Sequence, residues 1–352
     1  MNVPTRSAAA ACLTLLVAGC ASSAKTTPVA HAAPAKPASA ASAAKVTATT
    51  EKTIALPGKG GHGDVVVADP SAHAVYVAQS PDNNLVVLDT TTNKIEAVVP
   101  DVASANGIVY TSQYVFVAEA TANAVAVVSK SDWKVVATVS SGGKTPDALY
   151  YDSRDNSVFV ANDDSNNMEE FSATKPFTVK GSFGLQPSPA VSGPDLGVYV
   201  PGQDRIYQSD DNDVLTIDAK TRRIQKVSSL PLAKGVAAKD MYYDQSGHLL
   251  WVATNGPDLM ALNPDSGKVV YTVKTASGAD QVAEDTDQGL LLLGEGNAGA
   301  MAVVDLATHR DVANIKEEAT FHTLDHLPNS DLVYAYLNKS NAVAVEKLAV
   351  TR

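Results

Sequence analysis

Four aspartates, Asp64, Asp147, Asp240 and Asp280, recur at one register of a repeated pattern, and Asn106, Ser188 and His322 hold the same place in the other three copies. Carboxylates gathered around one opening repel each other until a cation, or a ligand rich in positive charge or hydroxyls, relieves them. Such a ring suits Ca²⁺ or another divalent ion, or a small cationic or polyhydroxylated ligand. The competing role for each Asp is structural, because a carboxylate at the start of a strand also caps the backbone of a neighbouring loop. Arg205 and Tyr207, in what reads as an enlarged loop, would add ligand-facing groups to the same rim.

Other chemistry is sparse. The sequence holds no Gly-x-Ser-x-Gly elbow, no His-Glu-x-x-His and no Walker loop. Gly294-Glu295-Gly296-Asn297-Ala298-Gly299 formally matches the dinucleotide fingerprint, but the alternating run Met301-Ala302-Val303-Val304-Asp305 follows it where a helix is required. Asp163-Asp164-Ser165-Asn166-Asn167 and Asp210-Asp211-Asn212-Asp213 have the composition of calcium loops without the glycine at position six or the glutamate at twelve, and they read as solvated turns. With two cysteines in the chain there is no cluster for haem or iron–sulfur ligation, and no organic cofactor is expected.

The elements that would position these residues follow from a repeat. Its marker strand reads Val75-Tyr76-Val77-Ala78, Val115-Phe116-Val117-Ala118, Val158-Phe159-Val160-Ala161, Val198-Tyr199-Val200-Pro201, Leu250-Trp251-Val252-Ala253, Leu291-Leu292-Leu293-Gly294 and Val333-Tyr334-Ala335-Tyr336. The central residues stand 40, 43, 40, 52, 41 and 42 apart. Short period-2 runs broken by Asn, Asp and Gly, at this spacing, predict an all-β chain: a seven-bladed β-propeller of four-stranded blades. The first strand of each blade lines the central channel, which puts the seven residues of the opening paragraph around one channel mouth. Turns such as Asp89-Thr90-Thr91-Thr92 and Asp305-Leu306-Ala307-Thr308 close the outer hairpins, their acids bonding to their own backbone. The spacing of 52 predicts an insertion at residues 202–212 between strands two and three of blade four. The last repeat lacks a fourth strand, and Lys52-Thr53-Ile54-Ala55-Leu56 has the pattern to supply it, closing the ring.

These repeats resemble the YVTN-type propellers, with Phe159-Val160-Ala161-Asn162 and Tyr76-Val77-Ala78-Gln79 carrying Ala where the family name has Thr. The resemblance covers residues 52–352 and fades in blades four and six. It implies a fold and little chemistry, since the family mixes binding proteins, surface-layer proteins and proteins encoded beside redox enzymes.

The ends carry a separate message. Arg6, an apolar run from Ala8 to Val17 and then Leu16-Val17-Ala18-Gly19-Cys20 resemble the signal and lipobox of bacterial lipoproteins, which implies residues 1–19 as signal peptide and Cys20 as the acylated anchor in the bilayer. Residues 21–50 comprise twelve Ala, nine Ser or Thr, three Pro and three Lys, with no acid and no aromatic, so 20–50 reads as a disordered tether before a propeller at 51–352. Ala21 after the Cys favours, by the same resemblance, the periplasmic side of the outer membrane. From residue 51 onward 23 Lys plus Arg face 38 Asp plus Glu, a net of −15, which repels nucleic acid and favours a monomer. The expected function is a non-catalytic binding or scaffold module holding an unknown protein or small ligand at the mouth. The alternatives are a metal-dependent lactonase-like hydrolase and an accessory protein of a periplasmic redox enzyme.

Overall fold

Short runs, most of them six or seven residues rich in Val, Ala, Leu and aromatics and separated by polar and glycine turns, form the strands of a computed structural model that describes residues 42–61, 63–185, 193–316 and 320–352. Cys20, the segment before it and Ser188 lie outside the described residues. Among the described residues no helix is long and apolar enough to cross a membrane. The described strands belong to one compact unit, Ala41–Arg352.

Among the described residues twenty-eight strands make seven antiparallel four-stranded sheets, so the seven-bladed propeller is the fold. After the closing strand β1 (Lys45–Ala55), blade one is β2 (Val66–Asp69), β3 (Ala74–Gln79), β4 (Asn84–Asp89) and β5 (Lys94–Pro100). Blade two is β6 (Ala105–Tyr110), β7 (Tyr114–Glu119), β8 (Ala124–Ser129) and β9 (Lys134–Ser140). Blade three is β10 (Pro146–Asp152), β11 (Ser157–Asn162), β12 (Asn167–Ser172) and β13 (Val179–Gly184). Blade four is β14 (Pro194–Val200), β15 (Arg205–Asp210), β16 (Asp213–Asp218) and β17 (Arg223–Ser229). Blade five is β18 (Ala238–Asp244), β19 (Leu249–Thr254), β20 (Asp258–Asn263) and β21 (Lys268–Lys274). Blade six is β22 (Ala279–Asp285), β23 (Leu290–Glu295), β24 (Ala300–Asp305) and β25 (Arg310–Lys316). Blade seven is β26 (Phe321–His326), β27 (Leu332–Leu337) and β28 (Ala342–Thr351), with β1 as its outer strand.

The closing strand is longer than its sequence pattern indicated. It begins at Lys45, inside the stretch read as tether, and pairs with β28 from Lys45↔Thr351 to Ala55↔Ala342 around a bulge at Thr50/Lys52. Val46, Ile54 and Leu56 are buried, which is why this polar-looking segment orders as strand. The Asp305 carboxylate fixes the start of β1 and the end of β28, which lie side by side, accepting the Ala44 amide (3.1 Å) and the Arg352 guanidinium (2.7 Å).

Blade four corrects the expected register. Its second strand is β15, and the Val198-Tyr199-Val200 run belongs to the channel-lining β14. No insertion separates its second and third strands, which a two-residue turn, Asp211-Asn212, connects. The central residue of this blade is therefore Tyr207, fully buried like Tyr76, Phe116, Trp251, Leu292 and Tyr334 between the faces of adjacent sheets. The outer-hairpin acids cap as expected: Asp89 accepts the Thr91 and Thr92 amides, and Asp305 that of Thr308. The glycine-rich stretch 294–299 joins β23 to β24 as a hairpin, without a helix.

Candidate functional site

In six blades the ladder between first and second strands slips just after the first strand begins, at Ala105/Ile108, Pro146/Leu149, Pro194/Gly197, Ala238/Met241, Ala279/Gln281 and Phe321/Leu324. A bulge frees the slipped residue from ordinary pairing and re-aims its side chain. The residue that follows the first paired position is Asn106, Asp147, Asp195, Lys239, Asp280 and His322, with Asp64 equivalent in blade one. The inner strand of each blade approaches its neighbour so closely here that a Cβ on Gly107 of β6 would sit 2.0 Å from the Asp147 carbonyl oxygen, and one on Gly294, at the end of the second strand β23, would sit 2.1 Å from that of His322.

These side chains interact around the mouth. Lys239 pairs with Asp195 and lies 3.7 Å from Asp280 Oδ1, while His322 Nε2 lies 3.3 Å from Asp280 Oδ2. Asn106 Nδ2 donates to Asp147 Oδ1 at 3.0 Å, and Ser80 Oγ donates to Asn106 Oδ1 at 3.1 Å. Asp64 forms no side-chain hydrogen bond or ion pair with another described residue. Burial pushes its carboxyl well above the usual range, with Asp147, Asp280 and Asp195 adding to the shift and Lys239 opposing it. Burial, then the charge of Asp195, raises Asp147 to about 8 despite the Asn106 hydrogen bond. Burial also raises Asp195, with Lys239 pulling the other way. For Lys239 burial works against the charged form, but Asp195 and Asp280 outweigh it and hold the ammonium above the usual lysine value. The side chains of Lys239, Asp195 and Asp280 keep 24, 24 and 21 % of their exposure, so a ligand reaches them.

Two expected ring positions therefore move. Blade four contributes Asp195, and Ser188 lies outside the described residues. Blade five contributes Lys239, and Asp240 is one residue deeper, where it caps backbone as the structural reading had it: its two oxygens accept the amides of Met241 (2.7 Å) and, on the next blade, Val282 (2.9 Å). Burial raises its carboxyl to about 8 against these bonds. Asp325 makes the corresponding reach to Ala68 N at 2.8 Å. Gln281 passes the seventh blade to bond Val66, accepting its amide (3.1 Å) and donating to its carbonyl (2.6 Å). These bonds line the channel wall beneath the mouth.

Arg205 and Tyr207 do not join the rim. Both lie on β15, with Arg205 at the end paired to Val200, remote from the mouth. Tyr207 is buried, donates to Gln203 Oε1 at 2.8 Å and stacks on Tyr243. The residues that sequence reasoning missed, Asp195 and Lys239, line a mouth-side cavity of about 350 Å³ together with Asp163, Asp211 and Asn255. A larger cavity of about 620 Å³, bordered by Ser246, His309 and Arg352, lies at the opposite turns of blades five and six and touches no mouth residue. Among the described residues no group of three or more His, Cys, Asp or Glu is placed to hold a metal ion.

A profile of YNCE-like β-propellers matches residues 93–350 of this chain. The chain belongs to the YNCE-like β-propeller family. The YVTN-type resemblance is thereby supported at the level of a β-propeller repeat family. No curated protein matches the YNCE-like chain in sequence. Among solved structures it is similar to Kuenenia stuttgartiensis hydrazine synthase, with a TM-score of 0.71, 14 % identity, and coverage of 84 % of this chain and 97 % of that one. It is also similar to the Cps50 (Swd1) β-propeller domain of Myceliophteria thermophila, with a TM-score of 0.68, 13 % identity, and coverage of 86 % and 99 %. At such identities the likeness concerns the fold, and the mouth chemistry is this chain's own.

Proposed function

We propose that this YNCE-like propeller is a non-catalytic binding module whose ligand, a small organic cation or a polyhydroxylated molecule, sits at the channel mouth. The observation that carries the reading is the convergence of Asp64, Asp147, Asp195, Lys239, Asp280, His322 and Asn106 from seven blades, with the Asp64 carboxylate forming no side-chain hydrogen bond or ion pair among the described residues. Lys239 already neutralises the Asp195–Asp280 side, so the Asp64–Asp147 side is where a ligand's positive charge or hydroxyl donors gain most. Cys20 and the sequence after it support a lipid-anchored module on an extracytoplasmic membrane face, the periplasmic side of the outer membrane by resemblance.

The test is a thermal-shift panel of amines (spermidine, choline) and neutral oligosaccharides on the parent chain and on Asp64→Asn/Asp147→Asn. A probe that raises the parent Tm and leaves the double variant unmoved supports the mouth. A panel in which every active probe shifts both proteins equally removes the mouth as the binding site.

A further inference from the structure

The far end of the channel is built differently from its acidic mouth. There the last residues of β6, β10 and β14 enclose a cavity of about 500 Å³ together with Val67 of β2 and Glu284 of β22. Four tyrosines, Tyr110, Tyr150, Tyr151 and Tyr199, share its wall, and apart from Glu284 the other lining residues are apolar or glycine. Tyr151 follows Asp147 by four residues on β10, which sets the cavity roughly 13 Å below the mouth. Blade six stands across the ring from blade three, so Glu284 reaches the cavity from the side facing the tyrosines.

Three of the tyrosine hydroxyls are spent on the protein itself. Tyr150 donates to Gln208 Oε1 (2.7 Å), Tyr151 to Asn156 Oδ1 (3.0 Å) and Tyr199 to Asp152 Oδ1 (2.7 Å). These bonds fix the rings and commit their protons, so the rings offer an occupant mainly π-surface. Burial, then the charges of Asp69, Asp325 and Glu284, push the Tyr110 phenol up to about 12, so it stays neutral. Tyr110 already holds one cation, the Lys130 ammonium, 4.5 Å from its ring centroid. Lys130 is itself paired with Asp69, and Arg154 at the cavity's edge is held by Asp204 (3.5 Å) and the Pro201 carbonyl (3.2 Å). Glu284 has no such counterion. Among the described residues it forms no ion pair and no side-chain hydrogen bond, although it is exposed within the channel. Burial among the channel walls raises its carboxyl, opposed by its own backbone amide and by His326. His326 Nε2 is turned elsewhere, 3.0 Å from the Ser330 carbonyl oxygen and 3.8 Å from Asp285 Oδ2. A lone carboxylate between apolar walls focuses its field along the channel.

We propose that this cavity binds a small alkylated ammonium ion, its charge against Glu284 and its apolar groups on the tyrosine rings. Tyrosine rings attract cations within about 6 Å of the ring centroid, and a quaternary ammonium, which has no N–H to donate, suits aromatic walls with a single carboxylate. A metal ion needs more oxygen ligands than one glutamate supplies, and a neutral apolar ligand would desolvate the carboxylate with nothing in return. The cavity volume of about 500 Å³ lies in the range of small-molecule sites. This site is separate from the mouth ring, and it adds no catalytic step.

The experiment is calorimetric titration of the full-length protein with benzyltrimethylammonium chloride and, as neutral comparison, with benzyl alcohol, accompanied by melting curves. The parent is expected to bind one benzyltrimethylammonium ion, at least tenfold more tightly than benzyl alcohol. Glu284→Gln, which keeps the side-chain shape, is expected to weaken the cation at least tenfold while melting at or above the parent temperature. Tyr151→Leu is expected to weaken it about fivefold, and Tyr151→Phe, which keeps the ring, to bind as the parent does. The mouth variant Asp64→Asn/Asp147→Asn is expected to keep the parent's affinity for this cation, whatever it does to spermidine or sugar binding. Absence of binding in the parent overturns the proposal, as does equal affinity for benzyl alcohol, affinity unchanged in Glu284→Gln, or affinity lost in the mouth variant. Cation binding lost in Glu284→Gln and kept in the mouth variant supports it, whether or not the mouth takes a ligand of its own.

Discussion

Removal of β1 is the severest test of how the ring closes. Deleting residues 45–56 withdraws Val46, Ile54 and Leu56 from burial and leaves β28 as an open edge over ten paired positions. Each such side chain contributes about 1.5–3 kcal/mol when fully buried, so the three together contribute roughly 5–9 kcal/mol. The net stability of a folded domain is itself only about 5–15 kcal/mol. The truncated chain is therefore expected to be unfolded or to aggregate through the exposed edge of β28. Urea denaturation followed by fluorescence of the buried Trp251 reads the outcome. Ile54→Ala gives an intermediate point, with an expected loss of about 2–5 kcal/mol. A truncated protein with the parent's urea midpoint would refute the closure argument, because it would mean that β28 needs no outer partner.

Two further expectations separate mouth from wall. Asp147 titrates near 8 in the folded protein and near 4 when unfolded, so the stability it contributes is complete below about pH 4 and is lost as pH rises through 8. Asp147→Asn, which keeps the acceptor for Asn106, is expected to stabilise by about 1–2 kcal/mol at pH 8, after allowance for water at the mouth, and to have little effect near pH 4; equal effects at both pH values in paired melting curves would contradict this. Asp240→Ala leaves the Met241 and Val282 amides without acceptors and is expected to destabilise by about 1–3 kcal/mol for each amide, with urea midpoints as the measure and an unchanged midpoint as the contrary result.

Much of the fold was legible because a propeller is written in local pattern. The buried residues at the middle of each second strand, from Tyr76 to Tyr334, repeat at nearly constant spacing because each must fill the same gap between two twisted sheets. The strand deficit at the C-terminus and the Lys52–Leu56 pattern were enough to predict closure, although the start at Lys45 was not. Thr47, Thr49 and Thr50 carry little hydrophobic signal and order because β28 offers them a ladder.

The register of the mouth was decided only by the tertiary structure. Val198-Tyr199-Val200 has the alternation of a second strand, and alternation alone does not distinguish a first strand from a second. The misplaced marker carried Ser188 into the ring and turned Arg205 and Tyr207 into a loop. A usable signal was present: Pro194-Asp195 repeats the Pro146-Asp147 dipeptide, and Tyr242-Tyr243-Asp244 aligns with Tyr150-Tyr151-Asp152, which sets Lys239 opposite Asp147. No one-dimensional pattern reports the bulge that turns these residues toward the channel. Nor does it report that Asp240, one position deeper, spends its oxygens on backbone amides of two blades, because that depends on where the neighbouring sheet lies. The sequence by itself determined the kind of ring; the contacts between blades decided which charges face into it.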